Sequence, residues 1–555
     1  MTDSQSDYGK AEAPREKCRW MQRGLLAAVC VLVVGVYAYM ARLGGMEWST
    51  LNAANQGYNL LVQGFGARQL NLKKEVPPGF ASLADPYDPQ ANRPCQNLPY
   101  DMRDLSYYGG KLYVYFGVTP ALVLFWPWMA VTGQYVFERQ ALTVFCGMGF
   151  LASVGLLCAL WRRYFAQVSV GVVAACALAL GLATSVPAML PDADFHEVAI
   201  SCGYMLTMLA LAAIWKSVHE PDRQSRWLAA ASLAYGLAVG ARPNLLFGAV
   251  ILLVPVAQRW RERRALLTPL LAATVPIALI GLGLMLYNAL RFDSPFEFGG
   301  HYQLSWVRLL TAPEFSLGHL WFNFRVYFLE PARWSGRFPF VENIREPALP
   351  AGHIGEVGHA SGVLTNIPLV WLALAAPLAW WRRPAGARSV LCGFLGAVAA
   401  LFGTAALTLG LFFHTAGRYE VEFLPALVWL AVVGILELEC RSGQATRTTW
   451  QRGLRWGWGV LLGFSVLFNL LVSAEQWVYA DCGLGAVLAA QGRSSEGIQV
   501  LQRALRIKPD YVNGQVQLGN ALVHAGRVQE AIEHYEQALR IKADNAEAHN
   551  NLGPP

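Results

Sequence analysis

The sequence predicts an all-α protein in two parts: a polytopic bundle of about eleven transmembrane helices, then a short α-solenoid. Three observations predict it. Of 555 residues, 55% are hydrophobic and only 15% charged, against roughly 25% charged in a soluble globular chain, and the mean hydropathy is +0.33. Apolar runs of spanning length recur between residues 24 and 473, separated by short basic clusters. After about residue 478 the chain turns polar, and Leu484-Gly485 returns as Leu518-Gly519 and as Leu552-Gly553, a period of 34.

The first run, "GLLAAVCVLVVGVYAYMA" (24–41), is too long for the core of a cleaved signal. Lys10, Arg15, Lys17, Arg19 and Arg23 precede it, so it reads as a signal anchor with residues 1–23 in the cytoplasm. Further spans are expected at 138–161, 166–190, 196–215, 227–240, 243–257, 266–288, 363–381, 389–413, 422–438 and 455–473. The pair at 227–257 is joined by "ARPN", with Pro243 at a helix start, where proline is tolerated.

Basic clusters set the orientation. Arg162-Arg163, 216–226, "RWRERR" (259–264), "RRPAGAR" (382–388) and 441–455 all fall on the cytoplasmic side if the run at 112–131 does not span. That run contains Gly117, Pro120 and Pro127, and it reads as a helix in the outer interface. The result is a multi-pass protein of the inner (plasma) membrane, with its N-terminus inside and its C-terminus outside. The membrane part covers 24–475, with large outer loops at 43–137 and 289–362, and the repeat tail covers 478–555. The net charge of +7 is spread between spans and makes no nucleic-acid face.

Polar residues gather at the outer helix ends. The first outer loop holds "DPYDP" (85–89), the acids Glu47, Asp85, Asp88, Asp101 and Asp104, and then "GGKLYVYFGVTPAL" (109–122), which brings Asp104 and Lys111 to the start of the interfacial helix. A carboxylate at a membrane surface serves as a general base for a hydroxyl or holds a divalent ion. A lysine near headgroups holds a phosphate. Asp-Pro pairs are also ordinary turn formers. "LPDADFHEVAI" (190–200) sets His196 and Glu197 at the head of a span, where ionisable groups mark function; its spacing matches no metal-ligand motif. Arg242 and Arg418 lie at outer helix ends, Arg418 near Glu420 and Glu422. A buried guanidinium there takes either a phosphate or a neighbouring carboxylate. The stretch "RFDSPFEFGGHYQLSW" (291–306), with His301, suits a sugar or a lipid headgroup as well as interfacial packing. No cofactor motif is present, and a divalent metal stays open.

Taken in order along the chain, these motifs resemble the GT-C superfamily of membrane glycosyltransferases, near the dolichyl-phosphate-mannose–protein mannosyltransferase and aminoarabinose-transferase type. "GGKLYVYFGVTPAL" is similar to the family's lysine-containing interfacial helix, which implies a phosphate contact for Lys111. "LPDADFHEVAI" resembles its second acidic loop, placing Glu197 at its carboxylate, and "GLAVGARPNLL" (236–246) resembles its short helix pair, placing Arg242 at its basic residue. "GRYEVEFLPAL" (417–427) resembles a late helix start. The family's acid in the first interfacial helix is absent from "STLNAANQGYNLLVQGF" (49–65). Ala531, Tyr535, Ala538 and Pro509 fall on the small, aromatic and proline positions of a tetratricopeptide repeat. The arrangement resembles the animal transmembrane O-mannosyltransferases, whose repeats also lie outside the cytoplasm.

The resemblance implies transfer of a sugar, hexosyl or pentosyl, from a polyprenyl-phosphate donor to an extracytoplasmic acceptor, with inversion. The catalytic carboxylate would be Asp104, Asp85 or Glu197, in that order. Lys111, Arg242, Arg418, Asp88, His196 and His301 would contact substrate. Membrane lipids surround the spans, and the repeats would recruit a protein partner. A non-catalytic membrane-anchored scaffold is the alternative. A transporter expects inverted repeats and midplane charges, and neither is visible in the sequence.

Overall fold

A computed structural model describes residues 8–43, 52–96, 102–115, 117–305, 307–310, 313–345, 347–354, 362–381, 383–442 and 448–553, without the side chains of 8–19, 42–43, 96, 442, 448 and 450. Glu47 and Asp101 lie outside these residues.

Eight helices among them are long and apolar enough to cross a membrane: Trp20–Ala41, Glu138–Tyr164, Val170–Met189, Phe195–His219, Pro243–Arg261, Leu267–Phe292, Ala385–Leu411 and Gln451–Ala490. Each falls on an expected span, and the remaining three of the roughly eleven expected, 227–240, 363–381 and 422–438, fall on helices of another character. Gln224–Ala241 is rich in small residues and packs closely, its Gly236 facing the Ile277 backbone. Pro368–Trp381 is short and opens as a 3₁₀ run at Pro368. Leu424–Ser442 is largely buried and ends on Glu437 and Glu439, which pair with Arg441 and Arg455.

The segment expected as one interfacial helix is instead a hairpin followed by a helix. Strands Ser106–Tyr108 and Lys111–Tyr113 pair antiparallel around Gly109 and Gly110, at φ 55 and 77, a region that favours glycine. The helical part, Ala121–Thr132, is too short to cross. Lys111 therefore sits exposed at a hairpin tip and not at a helix start. Between hairpin and helix the chain crosses Gln224–Ala241 so closely that a Cβ on Gly117 would lie 1.6 Å from the Gly240 carbonyl oxygen. Gly117→Ala forces backbone apart and is expected to cost about 1–3 kcal/mol. Thermal unfolding in detergent checks this, and an unchanged Tm would contradict the close crossing.

The two long loops are zipped together. The Asp104 amide donates to the Leu304 carbonyl, Leu304 to Leu105 and Tyr107 to Tyr302, each at 2.9 Å. This pairing, 200 residues apart in sequence (304 minus 104), brings Asp104 beside the 296–305 stretch.

The tail begins inside the bundle. One 43-residue helix, Thr448–Ala490, contains the last span and continues into the repeat region without a break. Helices Ser494–Ile507, Val512–His524, Val528–Ile541 and Ala546–Leu552 follow. Ala504, Ala531, Tyr535 and Ala538 are buried in a core of their own, as the repeat pattern predicts. Lys508 pairs with Glu475 at 2.7 Å and Arg503 with Asp481 at 2.9 Å, both carboxylates fully buried on the long helix.

Candidate functional site

A cavity of about 510 Å³ lies where the zipped loops meet the head of Pro243–Leu252 and the 408–419 segment. It gathers charge at one place and apolar surface at another. Arg242 and Arg418 line it, as do Asp104, Glu297, Glu314, His196, His301 and His414. Leu246, Phe247, Phe296 and Phe315 also line it and are exposed large apolar side chains.

Arg242 stands at the break between two helices, where Pro243 starts a new one. Its Nε and Nη2 both donate to Glu422 Oε1 at 2.8 Å, and Asn244 donates to the other oxygen of the same carboxylate. Arg418 is held more loosely, its Nη1 3.5 Å from Glu197 Oε1, and its Nε has no hydrogen-bond partner among the described residues. Both guanidinium groups flank one ring: their Cζ atoms lie 5.3 and 5.5 Å from the Tyr419 centroid. Burial works against the Arg418 charge, but Glu197 above all raises its pKa past the ordinary value, so the group stays cationic.

Asp104 takes a left-handed backbone, φ 61, which Asp tolerates better than most residues. Its Oδ1 accepts from Gln303 Nε2 at 2.7 Å. In the same lining, His301 Nδ1 lies 2.7 Å from Glu297 Oε2. Burial, reinforced by Glu297 and opposed by His301, pushes Glu314 above the usual carboxylate range. His196 lies 3.7 Å from Asp194, whose side chain caps Phe195–His219 by accepting from the Phe195 amide.

The structure thus brings Asp104, His196, Arg242, His301 and Arg418 to one cavity, and Glu197 behind Arg418. Asp85, Asp88 and Lys111 are not among its lining residues. Asp85 accepts from the Tyr87 amide at 3.0 Å and pairs with Arg308, while Asp88 accepts from the Gln90 amide at 3.0 Å. "DPYDP" is a capped turn that ties the first loop to the second. In the helix after the first span, Asn59 donates to the Ala53 and Val136 carbonyls, a structural role. Glu314 sits in no recognisable motif, and Gln303 lies within the 291–306 stretch but carries no signal of its own. No group of three or more His, Cys, Asp or Glu side chains among the described residues is placed to hold a metal ion.

The histidines give the loops a pH dependence. Burial, with Arg418 and His353 nearby, pushes His414 down to about 3; burial, then His319, pushes His353 down to about 4. Both are neutral when folded, whereas an unfolded histidine titrates near ~6.5. The unfolded state binds more protons below that value, so stability is full above about pH 6.5 and falls as pH drops toward 4. Tm is expected to be lower at pH 5 than at pH 7.5, with a smaller difference in a His353→Gln/His414→Gln variant. An equal difference in that variant would contradict the assignment.

The tetratricopeptide-repeat family model matches residues 519–553. No curated protein matches the chain. Among solved structures, that of ArnT from Cupriavidus metallidurans bound to undecaprenyl phosphate is similar, at 13% identity over 96% of this chain and 78% of that one, with a TM-score of 0.40.

Proposed function

We propose that the chain is an integral-membrane glycosyltransferase that takes a sugar from a polyprenyl-phosphate donor and passes it to an acceptor hydroxyl on the extracytoplasmic side. One observation carries the reading: two arginines and the Asp104 carboxylate share a cavity whose rim is exposed and apolar. The isoprenoid chain lies along Leu246 and Phe247 in the hydrocarbon, and the phosphate reaches Arg242 and Arg418, whose forked donors suit its oxygens. Asp104 accepts the acceptor proton as the hydroxyl oxygen attacks the anomeric carbon. The bond from that carbon to the phosphate oxygen breaks in the same displacement, so the configuration inverts. His196 and His301 contact the sugar or the acceptor. Asp85, Asp88 and Lys111 shape the loop that closes the cavity. The repeats lie on the same side of the membrane and recruit a protein partner.

Purified protein in liposomes, supplied with a panel of polyprenyl-phosphate sugars, is expected to release polyprenyl phosphate from at least one of them. Asp85→Asn is expected to keep most of that activity, since Asp85 faces Arg308. No release across the panel would contradict the enzyme reading, and loss of activity in Asp85→Asn at unchanged Tm would move the base to Asp85.

A further inference from the structure

Arg418 forms a wall shared by the large cavity and a second, smaller space of about 30 Å³. Ser185, Asp192, Glu197, Glu420, Asn469 and Gln476 supply the polar part of its lining. Glu197 and Gln476 are 2% and 5% exposed, yet Glu197 Oε2 and Gln476 Nε2 have no hydrogen-bond partner among the described residues. A polar space of this size admits about two water molecules, which would satisfy both atoms. Asp192, at its edge, is exposed. Arg418, Asp192, Asp194, His196 and Glu420 are the charged and titratable groups around Glu197.

We propose that this chamber is a hydrated proton site, and that Glu197 takes up a proton when the phosphate product forms and so gives Arg418 over to the phosphate. The inference rests on the glycosyltransferase reading. The donor is a phosphodiester with one negative charge. When the acceptor oxygen bonds the anomeric carbon, the carbon–oxygen bond to phosphate breaks and its electron pair stays on the phosphate oxygen, adding a second charge. The acceptor proton goes to Asp104 and from there to solvent. The new charge appears beside Arg418, which already faces Glu197, and a second buried anion at one guanidinium is costly unless one is neutralised. A proton entering from solvent past Asp192, through the chamber water, neutralises Glu197. Glu422 is a poorer candidate, being held by two nitrogens of Arg242 and by Asn244. The Glu197 pair, at 3.5 Å, is the looser one. Glu197 acts through Arg418 and is a positioning residue.

The test is calorimetric titration of full-length protein in detergent with polyprenyl phosphate at pH 8, in two buffers of different ionisation enthalpy. The ligand is already doubly charged there, since a phosphate monoester titrates near ~6. Wild type is expected to take up about one proton per phosphate bound, and Glu197→Gln to take up none and bind about tenfold more tightly. A merely structural Glu197 would not move the proton count. Binding to wild type without proton uptake overturns the inference and leaves the enzyme reading standing, and this arm needs no variant to fold. Undiminished uptake in Glu197→Gln also overturns it. No binding to wild type overturns the enzyme reading itself.

Discussion

Asp104→Asn is expected to lower sugar transfer by roughly 10²–10⁴-fold while leaving Tm unchanged, the range typical of a lost general base. The substitution isolates the chemistry from the scaffold. Asn shares the tolerance of Asp for positive φ, so the backbone at φ 61 is kept. Its side-chain oxygen still accepts from Gln303 Nε2, and the Asp104 amide still reaches the Leu304 carbonyl. The proton-accepting charge is gone, and with it only the 3.9 Å pair to the half-exposed Arg103, a surface contact worth little. A single-turnover assay with Tm measured on the same sample separates the outcomes. Full activity in a stable Asp104→Asn protein would remove Asp104 from the reaction and leave Glu314 as the next carboxylate of the cavity to test.

The second large effect is structural as well as functional. Arg242→Ala leaves Glu422 with Asn244 as its remaining donor among the described residues, although the Glu422 side chain is only 3% exposed. Breaking a buried ion pair from one side costs about 3–5 kcal/mol. Arg242→Ala should therefore lower both stability and donor binding. Adding Glu422→Ala removes the stranded charge, and the double variant is expected to regain much of the stability but none of the donor affinity. The non-additivity is the coupling between the two groups. An Arg242→Ala protein with wild-type Tm would show that the pair does not hold these segments together.

What was legible in the sequence follows from physical periodicity. Twenty apolar residues in a row announce a membrane helix, and the recurring Ala531, Tyr535 and Ala538 positions announce the repeats because they pack against neighbouring helices. The hairpin at 106–113 was not legible as such: three-residue strands are too short to alternate visibly, and the run 112–131 looks uniformly apolar. Nor was the zipper of Asp104, Leu105 and Tyr107 onto 302–304, because backbone hydrogen bonds leave no residue signature. Arg242 and Arg418 were found because a charge at a helix end in an apolar chain is conspicuous. Their partners were harder to assign. Glu422 is separated from Arg242 by 180 residues, and nothing local distinguishes it from Glu420. The three expected spans outside the eight long apolar helices fall on shorter or less apolar helices, Gln224–Ala241, Pro368–Trp381 and Leu424–Ser442.

The account turns on whether a lipid phosphate enters the cavity at its two arginines. A cryo-electron microscopy structure of the full chain with polyprenyl phosphate measures this directly. The expected result is phosphate density within hydrogen-bond reach of Arg242 and Arg418, with the isoprenoid chain leaving past Leu246 and Phe247. Phosphate bound elsewhere, with nothing at the two arginines, would contradict it.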